Sequence, residues 1–451
     1  MPKGAVRGLS TLLWALSICL GTAAVGSAGA GEDVAPGLRV GDVLDQSNWQ
    51  LAKDLLPAEI LRHYETGEYR NRIVAYPTES THWEKSFLEA TEKNAAQLDV
   101  DARGSIIEKG SGQQPPLYYG LPFPIIDPND PKAGVKVVWN QFLAYWYTGD
   151  TYNRALVVMV KPKAVDREIV ADGWFSFYDG QTPKYRKPNP LNLQSQFLGV
   201  VAVPTDLQGT ASLTWRYRDP EKRDSQWAFV PALRRVRAVS PANRSDGYLG
   251  SDISADDGFF FDGKPEDFEW KLVGQRQGLR VVDPEALAGP LPAQPSPEGG
   301  WISLTDRNPA TVGYRTPNWP GVTWAPTDAG LAKRTFWVVE GVPRDKYYLY
   351  GRLELWIDAE NWDGAWNRKF DWTGQLTHNF QMMGRVLHAA GPADDQEWVP
   401  IGTQVWACAE NFKMNRATLG GLRPDPKAAF YRRPRINPNI FDPQALQRFG
   451  K

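Results

Sequence analysis

Cysteine is scarce in this chain: two residues in 451, Cys19 and Cys408. Once the N-terminal segment is set aside a lone thiol remains, which excludes a disulfide framework and leaves the apolar core to hold the fold. Histidine is scarce too. His63 and His82 fall in a helical N-terminal stretch, His378 and His388 on strands or their ends, and no pair has the spacing of a zinc site. Each reads as a surface or half-buried residue. No nucleophile elbow, P-loop or dinucleotide fingerprint is found. Net charge is missing as well: 51 basic residues stand against 52 acidic ones, which argues against nucleic acid as a partner. After the first thirty residues, no apolar run reaches the ~20 residues that span a bilayer.

What is abundant is aromatic. There are 19 Trp, 17 Tyr and 18 Phe, with 36 Pro and 41 Gly. Large rings with polar edges suit a β-structure whose walls meet both solvent and an apolar interior. The start of the chain has the three zones of a secretory signal. Lys3 and Arg7 supply the positive charge, residues 9–25 are apolar, and Ala28-Gly29-Ala30 is a small-residue cleavage site. Cleavage after Ala30 would release about 420 residues into the periplasm. Lipidation at Cys19 is disfavoured by bulky Ile18, where such sites need a small residue.

Along the mature chain, Leu55, Ile60 and Leu61, then Trp83, Phe87 and Leu88, recur at helical spacing and predict short peripheral helices in a loop-rich region, 31–131. Prolines and glycines crowd 110–131. An amphipathic helix follows: Val135, Val138, Trp139, Phe142, Leu143 and Trp146 fall on one apolar face, before Gly149-Asp150 ends it.

After Thr151 the period becomes two. Strands are predicted at 154–160, 173–178, 196–203, 211–218, 225–230, 235–239 and 268–275. After a proline-rich break near 283–318, read as a linker or surface loop, they resume at 334–340, 347–357, 365–370, 376–387 and 398–409. This is a meandering antiparallel sheet over 132–421. The proline-rich tail, 422–451, is expected to lie extended on the surface or to fray.

Three blocks carry a resemblance. WRYRDPEKRDSQWAFVPALRRVRAVSPANRSDGYLGSDISADD (215–257), FWVVEGVPRDKYYLYGRLELWIDAEN (336–361) and YYGLPFPI (118–125) are similar to the bacterial domain-of-unknown-function family thirteen twenty-nine. The Gly/Asn-rich opening of its commonest members is missing here. The resemblance implies a mainly β fold with α: a curved antiparallel sheet, an incomplete β-barrel of the LolA/LolB-like outer-membrane lipoprotein-sorting type, with a helical lid and peripheral short helices. It also implies a cavity for acyl chains, and service alongside an inner-membrane exporter and an outer-membrane protein. No catalytic residues can be carried over, since none are established for the family.

The candidate sites follow. A slot between the sheet and the 135–146 helix would be lined or gated by Val135, Val138, Trp139, Phe142, Leu143 and Trp146, and ordinary core packing is the alternative. Arg216 and Arg218 share one strand face and Arg235 and Arg237 repeat the device; they form either a salt-bridge ladder or a cationic rim for a headgroup or partner. Asp252, Asp256 and Asp257 lack the pattern of a calcium loop and read as a turn or helix cap. Cys408 reads as a buried strand thiol. No metal or cofactor is expected. The leading reading is a non-enzymatic periplasmic carrier or chaperone of hydrophobic, lipid-like cargo. The alternatives are an envelope hydrolase acting on glycan or ester, and a structural adaptor for an outer-membrane or exporter partner.

Overall fold

The structure is a computed structural model that describes residues 32–76, 83–240, 244–283, 291–303, 312–389, 398–422 and 430–450. The export segment 1–30, with Cys19 and the cleavage after Ala30, lies outside these residues, as does His82.

The helical spacing read near the start yields α1 (Ala58–Glu65) and α2 (Lys85–Gln97), and the apolar run after them yields α3 (Ala133–Trp146). Gly149, at φ +81°, donates back to the Trp146 carbonyl and stops α3. The period-two stretch then lays down β1 (Thr151–Lys161), β2 (Ala164–Phe177), β3 (Leu193–Val203), β4 (Ala211–Tyr217), β5 (Ser225–Val230), β6 (Arg235–Val239) and β7 (Phe268–Val282). After the proline-rich break come β8 (Gly330–Pro343), β9 (Arg352–Asp358), β10 (Gly364–Phe370), β11 (Leu376–Ala389), β12 (Trp398–Asn411) and β13 (Arg416–Leu422). Strand β7 runs past the predicted end at Gln275 because its ladder with β8 resumes after a bulge between Leu272 and Gly274.

Every neighbour in this sheet is antiparallel, in the order β6-β5-β4-β3-β2-β1-β13-β12-β11-β10-β9-β8-β7. Strand β13, for which the sequence predicts no strand, joins the two halves: Leu419 pairs with Val158 and Ala417 with Val160. The run stays open, with no ladder joining β6 to β7 among the described residues. At one corner the short strands Leu291–Pro295, Trp301–Ser303 and Phe430–Arg432 bridge from the end of β11 back to the start of β1. Part of the proline-rich break is therefore sheet, where the sequence suggests a loop.

Alternation gives the sheet two apolar faces. The inner face carries α3, which packs on β7 and β8 among Phe177, Trp337, Leu355 and Phe380. The outer face, with Leu156, Val158, Cys408 and Leu419, is covered by Ile60, Leu61 and Tyr64 of α1 and by Val322 and Trp324. On the β2–β5 part of the outer face, Leu198, Leu213 and Phe229 are covered by Phe441 and Leu446. Of the two expectations for the tail, lying over the surface or fraying, the described part takes the first, because its apolar residues bury there.

One close approach tests the inner layer. A Cβ on Gly364 would lie 1.9 Å from the buried ring of Phe260. Gly364→Ala is expected to cost about 1–3 kcal/mol by overpacking, read as a lower urea midpoint with unchanged slope. An unchanged midpoint would show that the ring moves aside freely.

Candidate functional site

Thirteen of the fourteen α3 residues are buried, Lys136 being the exception, so the helix is covered on all sides instead of along one stripe. Of its two buried amides, Asn140 exchanges two hydrogen bonds with the Phe123 backbone, and Gln141 donates to the Phe259 carbonyl at 3.1 Å while its Oε1 has no partner among the described residues. All six candidate lining residues, Val135, Val138, Trp139, Phe142, Leu143 and Trp146, are buried in one cluster. Trp139, Phe142 and Trp146 meet ring to ring at 5.3–6.4 Å, and the Trp139 indole donates to the Gly104 carbonyl. The helix face turned to β1–β3 is different. Tyr145 stacks on Phe259 at 3.8 Å, Phe259 meets Phe175 at 4.5 Å, and Phe175 stacks on Phe197 at 4.4 Å. Phe175, Phe197 and Phe259 are each only half-buried, so this strip reaches from α3 onto the uncovered part of the inner face.

Phe259 belongs to a loop, 244–267, that closes the other side of α3. Phe260 and Phe261 are buried beneath it, Phe261 meeting Phe142 at 6.0 Å and Trp270 at 5.2 Å. Phe259 and Phe260 sit at φ +55° and +88°, a region bulky residues avoid, at a cost of order 1–3 kcal/mol each. Charge holds them there. Asp252 accepts from Arg416 and Asn411, Asp256 from Arg244 and Tyr348, Asp257 from Lys369, and Asp262 from Arg216 and Arg244. Asp257 also forms a capping box with Ser254, so the acidic cluster is a cap as well as an anchor. The sequence signal missed here is the DGFFFDG run, three rings between glycines.

Of the two readings open for Arg216 and Arg218, a salt-bridge ladder or a cationic rim, this loop favours pairing with aspartates. Both are buried. Arg216 lies 3.1 Å from Asp224 and 3.0 Å from Asp262, while Arg218 pairs with Asp179 at 2.8 Å and lies 4.6 Å over the Tyr118 ring. Their covers come from 115–118 and 244–267, distant in sequence. Burial would raise the Asp224 carboxyl, but Arg216 and Arg244 outweigh it and hold it below its usual value; Asp179, more dominated by burial, is pushed up to about 6. Arg235 and Arg237 stay exposed on β6, at the open edge of the sheet. The structure therefore separates the four arginines into a buried pair and an edge pair.

Residues 43–447 match the family described as "Protein of unknown function (DUF1329)". The chain belongs to the DUF1329 family. An uncharacterized protein of Pseudomonas aeruginosa is 21% identical over 379 residues, covering 80% of this chain and 71% of its own. Among solved structures, a domain provisionally named for outer-membrane lipoprotein sorting, from Vibrio parahaemolyticus, covers 70% of this chain and 100% of its own at 14% identity and a TM-score of 0.45. A DUF1329 protein from Desulfovibrio piger covers 68% and 97% at 15% identity and a TM-score of 0.42.

Two histidines of this DUF1329 chain, His63 and His378, are held in the sheet layers. His63, expected at the surface or half-buried, is buried under the outer layer between Glu68 at 2.8 Å and Glu410 at 2.9 Å, and stacks on Tyr69. One turn earlier on α1, Glu59 receives both Arg368 and Asn379 from the sheet, so Glu59 and His63 together clamp the helix onto a polar row. Burial alone would lower the imidazole, but Glu410 and Glu68 override it and raise His63 to about 9. His378 goes the other way, to about 3, through burial and then Lys369, Arg416 and Lys413. Cys408 is a buried thiol, which burial raises well above its usual value.

Two outcomes are expected. His63 is raised on folding, so its contribution is full below about pH 6.5 and lost as pH rises through about 9. Wild type should lose on the order of 3 kcal/mol between pH 6 and pH 10 that His63→Gln does not lose, measured by urea unfolding at each pH. A parallel loss in both would remove His63 from the account. Lys369→Met leaves buried Asp257 without its cation and should cost about 3–5 kcal/mol in the same assay; a cost under about 1 kcal/mol would mean the loop is not held by charge.

Proposed function

We infer that this chain is a non-enzymatic periplasmic carrier of hydrophobic, lipid-like cargo, serving transport across the cell envelope between an inner-membrane exporter and an outer-membrane partner. The observation that carries this reading is the half-buried aromatic strip of Phe175, Phe197 and Phe259 on the inner face, beside the fully packed α3. Cross-strand neighbours extend it: Phe175 and Phe197 are in register with Thr214, and the next row is Gly173, Gly199, Ser212 and Ala228. Small residues beside rings make a smooth apolar floor at which a chain can lie. With ~0.8 kcal/mol per buried CH₂, a fourteen-carbon chain could draw roughly 11 kcal/mol before ordering costs, so a strip of this size suffices. The N-terminal pattern of an export signal supports the compartment. Among the described residues no helix is long and apolar enough to cross a membrane.

On this reading the cargo lies on the Phe259 side of α3, while the six helix residues named from the sequence support it from beneath. Purified protein should take up a fluorescent fatty acid saturably. Phe197→Asp should weaken uptake tenfold or more while leaving the melting temperature within a few degrees, since the ring is half-exposed. No uptake by wild type, together with no lipid retained in native mass spectrometry of protein drawn from its own periplasm, would sink the reading.

A further inference from the structure

Near the C-terminal end of α3 a cleft of about 580 Å³ opens between the loop after β2, the turn before Trp301 and residues 433–436. Four cations line it, Lys184, Lys187, Arg433 and Arg435, against one carboxylate, Asp150. That carboxylate is already engaged: Lys187 lies 2.7 Å from both its oxygens, and it accepts from the Phe177 amide at 2.8 Å. Arg433 is buried, donates to Glu84 and to the Tyr147 carbonyl at 3.0 Å, and stands 4.7 Å over the Tyr185 ring. Arg435 is exposed and donates to the neutral Pro297 carbonyl at 3.2 Å; no carboxylate pairs with it among the described residues. Trp301 adds its side chain to the wall.

The walls are built closely. Gly300, at φ +62°, presses against the Arg432 carbonyl, where a Cβ would stand at 2.1 Å, and the Arg435 amide donates to the Glu298 carbonyl at 2.8 Å. The sheet register leads from the cleft to the cargo strip: Trp301 is in register with Arg432, Arg432 with Thr151, and Thr151 with Phe175.

We propose that this cleft binds an oxyanion of the phosphate class, and that the cargo is an amphiphile whose anionic group lies here while its apolar chain follows the Phe175–Phe197 strip. The proposal rests on the carrier reading for the chain, and on the cleft alone for the anion. Guanidinium forks match phosphate oxygens, and Arg435 presents one that no carboxylate of the described residues neutralises.

Calorimetry with three probes tests it: lysophosphatidic acid with a fourteen-carbon chain, the uncharged monoacylglycerol of the same chain, and inorganic phosphate. The phosphate-bearing lipid should bind at least tenfold tighter than the neutral one, and the preference should shrink in 1 M salt. Arg435→Glu, at an exposed position, should abolish the preference and leave neutral-lipid binding and the melting temperature unchanged. Equal affinity for the two lipids, or a preference that survives Arg435→Glu, would overturn the anion site while leaving the carrier reading standing. Inorganic phosphate bound with neither lipid taken up would keep the anion site and overturn its link to cargo. No binding by any probe would overturn both.

Discussion

The ladder between β1 and β13 is the contact on which the rest of the structure depends. Its paired residues, Val158 with Leu419 and Val160 with Ala417, are far apart in sequence, and they convert two meanders into one antiparallel sheet. Without that seam α3 would have no continuous face to cover, because it packs on β7 and β8 while its Tyr145 meets Phe177 on β2. The outer layers depend on it too. Val158 and Leu419 share one apolar cluster with α1, so the N-terminal segment spans both halves of the sheet.

Burial of charge is the second organising feature. The 244–267 loop places rings against α3 in a backbone conformation that bulky side chains avoid, and four aspartates fix it by pairing with Arg416, Arg244, Lys369 and Arg216. Buried ion pairs add little net stability relative to well-packed apolar residues, but losing one partner is costly, so they act chiefly to select one arrangement. The same logic serves α1, where Glu59 and His63 fix the register of the helix on the sheet. Both devices leave the aromatic strip half-buried on the inner face, and a cationic cleft stands at the sheet corner.

Some features were legible because they are local. The alternation after Thr151 predicts β5 and β6 with their observed ends, and the spacing of Val135 to Trp146 predicts α3 to within its first turn. Cys408 reads as a buried thiol from its neighbours alone, and the aspartates at 252–257 as a cap. Other features were not legible. Arg216 and Arg218 look alike to Arg235 and Arg237 in sequence, yet one pair is buried and the other exposed. What distinguishes them is the cover supplied from 115–118 and 244–267, which no local pattern encodes.

By itself, then, the sequence determined a cysteine-poor, aromatic-rich, mainly β chain with one central apolar helix, since hydrophobic period and turn chemistry are short-range properties. Only the tertiary structure decided that β13 joins the halves, that α3 is enclosed on every side, and that the open aromatic strip lies toward Phe259. Strand pairing is a choice among partners separated by hundreds of residues, and the burial of a charge depends on which of them arrives.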